Sequence, residues 1–313
     1  MELRRLRLLL ELSRLGTVAA VADALAYSPS SVSVQLAQLE REAGAKLLRR
    51  AGRNVELTAA GVRLAAHAAE ALAADEAIRT ELASAGEAPH GRVRMTIVQT
   101  PALALLPGAL ERLGETAPGL QVEVVQRETT PALEDLRSRA VDLVVGVEYE
   151  PVPVPRQRDV DRRDLLREDV VVVLHPEHPA LTKRGPVRIG ALEHAQWATG
   201  HRATGGGLEA TVRNVCNRLG GFEPDVRHRS DDGLVISALV ASGRAVALLP
   251  ALLTAEVPQI AGRRLREERL HRTIFTAART TTVEAPAVVA VREALRHAAG
   301  RVAAGRRPLA VLA

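Results

Sequence analysis

Hydroxyl and amide side chains crowd one short stretch of the sequence, residues 28–38. Ser28 followed by Pro29 favours a helix start, because serine caps the first unpaired N–H groups and proline has no N–H to lose there. Val32, Leu36 and Leu39 then recur on one face at helical spacing. The opposite face presents Ser30, Ser31, Ser33, Gln35 and Gln38. Such side chains can hydrogen-bond to base edges in a DNA major groove, although a solvated helix face accounts for the same periodicity.

Basic side chains follow at a tight turn. Residues 46–48 and 54–57 predict two short strands around Ala51-Gly52-Arg53, which together make a small hairpin. Arg50 and Arg53 lie beside and on this turn, where guanidinium groups can meet phosphates or enter a minor groove. Exposed arginines at a turn are common, so the hairpin supports DNA binding only together with the polar helix before it.

Two further helices are predicted ahead of the polar one. Leucines at helical spacing define the apolar face of a first helix that ends at Gly16. Thr17 caps a second helix over residues 17–25, and a tight connection at residues 26–27 leads to the third. Two short helices in this order, the second with a polar outer face, match the geometry of a helix-turn-helix.

Charge is distributed unevenly along the 313 residues, although the formal net charge is only +5. Residues 1–63 carry ten basic and six acidic side chains, whereas residues 64–90 carry one basic and five acidic side chains. This pattern is expected where a nucleic-acid-binding domain is joined to a segment that stays off the DNA. Hydrophobic residues make up 47% and charged residues 25%, which is typical of globular proteins.

The leucine-rich start of the chain is not interpreted as a signal peptide. Glu11 and Arg14 interrupt its apolar stretch, and no small-residue cleavage site follows. No run in the sequence approaches the roughly 18 uncharged apolar residues of a membrane span. We therefore expect a cytoplasmic protein with no membrane partner.

A long helix is predicted after the hairpin. Thr58 caps it, and it continues to about residue 83. Its apolar residues follow a roughly seven-residue pattern that Asp75 breaks, namely Leu64, Ala68, Ala71, Ile78 and Leu82. A small head domain cannot cover so long a helix, so a partner helix from a second subunit is expected, with a solvated spacer helix as the alternative.

From residue 92 the pattern changes to alternating strands and helices. Strands are predicted over residues 92–99, 121–127, 142–147, 169–175, 225–228, 245–249 and 270–278. Helices are predicted over residues 102–113, 131–139, 208–219, 233–242 and 285–303. This alternation predicts an α/β fold with a parallel sheet and helices on its faces.

Polar side chains collect where the predicted strands end. In open α/β sheets, ligands bind outside the carboxyl ends of the strands, and a helix N-terminus there can hold an anion. The candidates are Thr100, Pro101, Glu148, His201, Arg202, Thr204, Ser230 and Asp231. We expect them to line a site for a small polar or anionic metabolite, while ordinary loop caps account for any one of them equally well.

Signals for other chemistry are weak. His175 and His178 form a short H-x-x-H without a third ligand nearby, and Cys216 is the only cysteine, so neither a metal site nor a disulfide is expected. The sequence contains no G-x-S-x-G, H-E-x-x-H, P-loop or dinucleotide-binding motif. We therefore expect no catalytic activity and no cofactor.

The first sixty or so residues resemble the LysR-type transcriptional regulators. The resemblance runs without a gap from residue 3 to residue 61. It rests on Leu3, Leu6, Gly16, Thr17, Ala22, Leu25, Ser28, Ser33, Leu39, Glu40, Gly44, Leu47, Arg50, Gly52, Arg53, Val55, Leu57, Thr58, Ala60 and Gly61. Leu9, Val18 and Leu48 stand where the family often has aromatic residues, and Val34 stands where a basic or polar residue often contacts DNA.

This resemblance implies a DNA-bound homodimer or homotetramer whose recognition helices enter successive major grooves. The polar residues of the third helix would then contact bases, and Arg50 and Arg53 would contact the backbone and the minor groove. The resemblance also implies a two-lobed, periplasmic-binding-protein-like effector domain. Short matches to that domain occur at Leu106-Pro107, Pro118-Gly119, residues 142–144, His178-Pro179 and residues 247–250.

These inferences together predict a protein of α/β class with the following domain organisation. It has a winged helix-turn-helix over residues 1–61, a linker and dimerisation helix over 58–86, a first effector lobe over 91–161 and 268–304, and a second lobe over 162–267. The expected function is regulation of transcription by sequence-specific binding to double-stranded DNA, controlled by a small-molecule effector. A solute-binding or enzymatic two-lobed module with an accessory DNA-binding head is the alternative.

Arg53→Ala is expected to weaken binding to the operator and to lower the salt dependence of that binding, because a phosphate contact releases counterions. A DNA titration at several salt concentrations measures both quantities. Unchanged affinity together with an unchanged salt slope would remove Arg53 from the site.

Overall fold

The computed structural model describes residues 1–51, 54–84, 88–181, 185–201, 206–254, 257–305 and 309–311. Contacts between Cα atoms divide the chain into a first unit, Met1–Glu87 with Ser138–Ala140, and a second unit, Ala88–Arg137 with Val141–Ala313. Among the described residues, no helix is long and apolar enough to cross a lipid bilayer.

The first unit is a helix-turn-helix followed by a hairpin and a long helix. Its elements are α1 (Leu3–Leu15), α2 (Val18–Leu25), α3 (Pro29–Ala43), β1 (Leu48–Ala51), β2 (Asn54–Leu57) and α4 (Ala59–Ser84). The predicted caps of α2 and α3 are confirmed: the Ala20 N–H donates to Thr17 Oγ1 at 3.2 Å, and the Ser31 N–H donates to Ser28 Oγ at 3.1 Å. Ala26 has a φ of 55°, the left-handed conformation that ends α2.

The first hairpin strand begins at Leu48, two residues after the predicted start at residue 46. The reason is a contact from the end of α3, where the Glu40 carboxylate accepts the N–H groups of Leu47 and Leu48 at 2.9 and 3.2 Å. Burial acts to raise the pKa of Glu40, but these two donors together with Lys46 outweigh burial and lower it. The ionised carboxylate therefore anchors the hairpin to α3.

Leucine and alanine side chains fill the core of the first unit. The buried set is Leu6, Leu8, Leu9, Leu10, Leu12, Val21, Ala22, Val32, Leu36, Leu39, Leu47, Ala65, Ala68 and Leu72. Helix α4 contributes the last three of these residues. Further along α4, Ile78 and Leu82 are 50% and 69% exposed, so this unit leaves part of the helix's apolar surface uncovered.

Alternating strands and helices build the second unit, as the sequence predicts. The strands are β3 (Gly91–Ile97), β4 (Leu120–Gln126), β5 (Leu143–Tyr149), β6 (Val160–Leu174), β7 (Gln196–Thr199), β8 (Asp225–Arg229), β9 (Ala247–Pro250), β10 (Ala261–Arg263), β11 (Leu270–Arg279) and β12 (Leu309–Val311). The helices are α5 (Gln99–Thr116), α6 (Thr129–Arg137), α7 (Leu208–Val215), α8 (Gly233–Ala241), α9 (Ala251–Thr254) and α10 (Pro286–Gly305). Short 3₁₀ turns occur at Pro179–Leu181 and Ile189–Leu192, and a π turn at Cys216–Gly220 continues α7.

One sheet runs through the second unit in the order β10-β6-β11-β5-β3-β4, and β9 and β12 also pair with β6. Strand β3 is parallel to β4 and β5, whereas β11 is antiparallel to β5 and β6. A separate parallel pair consists of β7 and β8. We name β3–β5 with α5, α6 and α10 lobe 1, and β7–β10 with α7–α9 lobe 2. Strand β6 pairs with β11 along most of its length and with β9 and β10 at its end, so it connects the lobes.

Strand β6 begins at Val160, nine residues before the predicted start at residue 169. Charged side chains obscure this part of the strand, because the segment reads VDRRDLLRED. In the fold these charges are paired. Arg162 donates two 2.8 Å hydrogen bonds to Glu148 and lies 3.8 Å from the centre of the Phe275 ring. Strands β7, β10 and β12, of three or four residues each, were not predicted.

Gly61→Ala is expected to destabilise the first unit by about 2 kcal/mol through overpacking. Gly61 lies in the first turns of α4, where a Cβ would sit 2.2 Å from the backbone oxygen of Leu47. Chemical denaturation followed by circular dichroism measures the change. Gly300→Ala is the matched control, because nothing lies within 4 Å of the same methyl group in α10. A Gly61→Ala variant as stable as the wild type would contradict the need for this close approach.

Candidate DNA interface and effector cavity

The outward face of α3 carries small side chains and one guanidinium group. Ser30, Ser33, Val34, Ala37 and Arg41 are exposed and lie along one side of the helix at three- and four-residue intervals. The first four side chains are short and uncharged, and Val34 is 62% exposed. A base edge can approach such a face closely, and an isopropyl group matches the methyl group of thymine.

The side chains predicted to contact bases divide into two groups. Ser30 and Ser33 belong to the outward face, and Ser33 Oγ donates to the Pro29 carbonyl at 2.9 Å. The half-buried members beside that face are Ser31, Gln35 and Gln38. Both glutamine amides form hydrogen bonds within the first unit. Arg5 Nε donates to Gln35 Oε1 at 2.9 Å, and Gln38 Nε2 donates to Glu42 Oε1 at 3.2 Å. These amides can contact DNA fully only after exchanging those partners.

The sequence analysis did not single out Ala37 or Arg41. Both extend the exposed side of α3 toward its C-terminus, and Arg41 lies in the last turn, where a positive charge is also favourable to the helix dipole. Continuing the three- and four-residue spacing from Ser30 and Ser33 would have reached both positions. Neither residue has the hydroxyl or amide group from which the other contacts were predicted.

The β1–β2 hairpin offers a second basic surface. Arg49 pairs with Glu56 directly across the ladder at 2.8 Å, so its charge is engaged. Arg50 is exposed and forms no ion pair with any residue that the structure describes. Arg53, the other predicted contact, lies outside the described residues. Arg50 is therefore the described hairpin residue best placed to meet a phosphate.

A cavity of about 330 Å³ lies between the two lobes. Lobe 1 contributes the ends of β3 and β5 and the starts of α5 and α6, and lobe 2 contributes the starts of α7 and α8 and the end of β9. The apolar part of the wall consists of Val98, Pro131, Val147, Val154, Leu208, Ile236, Leu249, Pro250 and Leu253. Strands of both lobes end here, the position at which open α/β sheets bind ligands.

The predicted effector residues are only partly brought together. The cavity is lined by Thr100, His201, Ser230 and Asp231. Glu148 is not in the lining, because Arg162 and a backbone N–H bind its carboxylate; burial acts to raise its pKa, but these donors lower it. Pro101 is buried in the first turn of α5 and is not in the lining either. Arg202 and Thr204 lie outside the described residues.

Gln99, which the sequence analysis missed, connects the lobes beside the cavity. Its Nε2 donates to Asp232 Oδ1 at 2.8 Å, and its Oε1 accepts the Gly233 N–H at 2.7 Å. Asp232 also caps α8 by accepting the Leu234 N–H at 2.8 Å. The hydrogen bond from Gln99 lowers the pKa of Asp232, with burial opposing it and the Leu234 N–H adding to it. One amide therefore joins α5 of lobe 1 to α8 of lobe 2.

Arg272 is the one arginine in the described lining of the cavity. It is 2% exposed and stands opposite both Tyr149 and Glu168 in the strand registers. Its Nε donates to Glu168 Oε1 at 2.7 Å, and its Nη1 donates to Tyr149 Oη at 3.4 Å. Burial acts to lower the pKa of Arg272, but these two partners outweigh burial and raise it, so the side chain stays charged. Glu168 therefore balances this positive charge before any ligand binds.

The other charged side chains of the described lining are mostly carboxylates. Glu128 and Glu134 come from lobe 1, and Asp231 comes from lobe 2. Asp231 accepts the His201 N–H at 2.8 Å and lies 3.1 Å from His201 Nδ1. Glu128 is half-buried, and its carboxyl has no hydrogen-bond or ion-pair partner among the described residues. Burial, and then Asp231, raise its pKa to about 7, against a smaller lowering by Arg272.

Reactive side chains elsewhere in the second unit are inert or scattered. Cys216 is fully buried, and burial raises the pKa of its thiol to about 12, so the thiol stays protonated. In the part of the chain that the structure describes, no group of three or more His, Cys, Asp or Glu side chains could hold a metal ion.

Two family models match the chain. The model "Bacterial regulatory helix-turn-helix protein, lysR family" matches residues 3–62, and "LysR substrate binding domain" matches residues 86–300. The first covers the helix-turn-helix and hairpin, and the second covers both lobes with the cavity between them. The two matches therefore take in the outward face of α3, the hairpin and the cavity described above.

Known proteins agree with both matches. The transcriptional dual regulator GltC of Bacillus subtilis is 29% identical over 256 residues, which are 82% of this chain and 83% of GltC. A full-length OxyR variant from Pseudomonas aeruginosa has a similar fold, with a TM-score of 0.64, 22% identity and 95% of each chain covered. CbnR in complex with its target DNA is similar with a TM-score of 0.54 and 22% identity, over 95% of this chain and 100% of CbnR. The chain therefore belongs to the LysR family of bacterial transcriptional regulators.

Proposed function

We propose that this LysR-family chain binds operator DNA through α3 and the β1–β2 hairpin, and that a small molecule in the inter-lobe cavity controls that binding. The observation that carries the proposal is the outward face of α3. That face combines hydroxyl, methyl and isopropyl groups with a terminal guanidinium on a helix that follows a tight turn. Such a helix suits entry into a major groove.

Base readout is proposed to use two kinds of contact on α3. Ser30 and Ser33 supply hydroxyl groups, which can both donate and accept hydrogen bonds at base edges. Val34 supplies an apolar surface for the methyl group of thymine, and Arg41 reaches a guanine or a phosphate. Additional polar contacts are proposed for Ser31, Gln35 and Gln38.

Backbone contacts are proposed to come from the hairpin. Arg50 is exposed beside the turn, and a guanidinium there can reach a phosphate while α3 occupies the groove. Arg53 stays in the proposal on sequence grounds alone. Both residues would add affinity without sequence preference, so specificity falls to α3.

A small polar molecule is proposed to occupy the inter-lobe cavity. Thr100 of lobe 1 and Ser230, Asp231 and His201 of lobe 2 supply hydrogen-bonding groups, so a ligand that contacts both sets favours one relative position of the lobes. The amide of Gln99 already joins the lobes beside the cavity, which supports coupling between ligand binding and lobe closure. Arg202 and Thr204 stay in the proposal from the sequence.

The chain is proposed to act as a homodimer or homotetramer. Leu103 and Leu110 on α5 and Leu234 on α8 are 43–57% exposed, and two of them line one apolar groove of about 470 Å³. A second copy suits this surface, because a two-fold contact sets the same patch against itself. Ile78 and Leu82 on α4 provide a separate apolar surface in the first unit, and two surfaces allow dimers to pair into a tetramer.

Leu103→Asp combined with Leu234→Asp is expected to lower the molecular mass in solution, because carboxylates buried in a contact without partners are costly. Sedimentation equilibrium of the full chain measures the mass. Val125→Asp is the control, since Val125 is 57% exposed on β4 and does not line the α5–α8 groove. A double variant with an intact circular dichroism spectrum and an unchanged mass would contradict the proposal that two copies associate through this surface.

Val34→Ala is expected to reduce the preference for operator DNA over scrambled duplex by about fourfold, the value of one lost methyl-sized contact of about 0.8 kcal/mol. The operator is obtained by selecting random duplexes on the full-length protein, and fluorescence anisotropy then measures affinity. Arg50→Ala is expected to weaken both duplexes alike and to lower the salt slope by about one.

Arg112→Ala is the charge-matched control for the DNA titration, because Arg112 is exposed on α5 of the second unit. This variant should leave the preference for operator DNA and the salt slope unchanged. Equal binding of selected and scrambled duplexes by the wild-type protein at every salt concentration would contradict the proposed function.

A further inference from the structure

The described lining of the inter-lobe cavity has an excess of negative charge. Glu128, Glu134 and Asp231 contribute three carboxylates, whereas the positive charge of Arg272 is balanced by the buried Glu168. The one guanidinium that the described lining offers an anionic ligand is that of Arg272, whose Nη2 donates no hydrogen bond but lies 2.7 Å from Glu168 Oε1. An anionic ligand would also have to approach the three carboxylates. A cation entering the same space would be attracted by all three.

Glu128 is the carboxyl that most lacks a partner. Glu128 directly precedes α6 and is half-buried at the cavity, and its carboxyl receives no hydrogen bond from any described residue. The charge that acts on it most strongly is Asp231 of the opposite lobe, which is also negative. Two carboxylates from different lobes therefore repel each other across the cavity until a cation lies between them.

The remaining wall limits the kind of cation. Ile236, Leu249 and Leu253 of lobe 2, with Val147 of lobe 1, present aliphatic surface to the same cavity. A fully hydrated metal ion would gain nothing from this surface, whereas an organic cation can bury its carbon skeleton there. A cavity of about 330 Å³ suits a molecule of metabolite size.

We propose that the controlling molecule is a small organic ammonium ion, held at its charged head by Glu128 and Asp231 and at its apolar body by Ile236, Leu249 and Leu253. The inference rests on the proposed function, because it names the ligand class of that same cavity. The ligand stabilises the closed arrangement of the lobes, since its charge neutralises one carboxylate from each lobe. This proposal of a cationic ligand differs from the expectation from sequence, which was a small polar or anionic metabolite.

Three probes with the same four-carbon chain test the charge of the head group. Full-length protein at pH 8 and constant ionic strength is titrated with n-butylamine, butyrate or 1-butanol, and the thermal midpoint of the second unit is recorded. Butylammonium alone is expected to raise the midpoint, because a ligand that binds only the folded state stabilises it. Stabilisation by butyrate, equal stabilisation by all three, or none by butylammonium would overturn the inference.

Butylammonium binding is also expected to weaken by about tenfold between pH 8 and pH 6. A carboxyl with a pKa of about 7 goes from about nine-tenths to about one-tenth ionised over this range, while the amine stays protonated. The charged and titratable groups that share the described lining with Glu128 are Glu134, Tyr149, His201, Asp231 and Arg272. Calorimetry on Glu128→Gln isolates the contribution of Glu128, since the other groups are retained. The variant is expected to bind weakly at both pH values, and wild-type-like binding by it would overturn the inference.

Glu128→Gln tests the unpaired carboxylate in the absence of ligand. Because the folded-state pKa of Glu128 lies above the ordinary 4.5, the folded protein holds this proton more tightly than the unfolded chain does. Its ionisation therefore costs stability progressively as the pH rises from about 4.5 through about 7. The variant is expected to be more stable than wild type at pH 8 and equally stable at pH 4, and no gain at pH 8 would overturn the inference. Glu193→Gln is the control and should gain nothing, because Glu193 is an exposed carboxyl of the second unit outside the cavity.

Failure of this inference and failure of the proposed function give different results. If butyrate or 1-butanol stabilised the protein in place of the amine, the cavity would still bind a small molecule and the DNA titration would be unaffected. If the protein lost its preference for selected duplex in that titration, the regulator function would fail whatever the amine does.

Discussion

The second unit depends on one buried ion pair, Glu168 with Arg272. The two residues stand opposite each other on β6 and β11, are 0% and 2% exposed, and are joined by a 2.7 Å hydrogen bond. Removing either partner would leave a buried charge at a cost of several kcal/mol. Glu168 also accepts the Leu252 N–H of α9 at 3.0 Å, so the pair ties the connecting strand to lobe 2. Because the guanidinium is neutralised here, the remaining carboxylates set the charge of the ligand.

The first unit is held by local interactions, and this explains why its elements could be predicted from sequence. Thr17, Ser28 and Thr58 each accept a backbone N–H three residues later, a spacing visible in the sequence. The leucines of α1 and α3 follow helical periodicity into one core. The start of β1 was misplaced because the contact that displaces it comes from Glu40, seven and eight residues earlier, and no local pattern records that contact.

The cavity was located from sequence only in outline. Thr100, Ser230 and Asp231 were proposed from strand ends, which meet at one edge of a sheet, and the structure places all three in the cavity lining. Glu148 also follows a predicted strand, yet Arg162 on the next strand binds its carboxylate. Gln99 and its partner Asp232 are 133 positions apart, so only the fold brings them together. The isolation of Glu128 likewise depends on what surrounds it in space.

In the proposed function, a small molecule in the inter-lobe cavity changes how α3 holds DNA. DNase footprinting of the full-length protein on the DNA upstream of its own gene, with and without small amines at pH 8, measures this most directly. The predicted result is a specific protected region whose extent or affinity changes on addition of the amine for the wild type but not for Glu128→Gln. Protection no greater than on scrambled DNA, or a footprint that every added amine leaves identical, would contradict the claim.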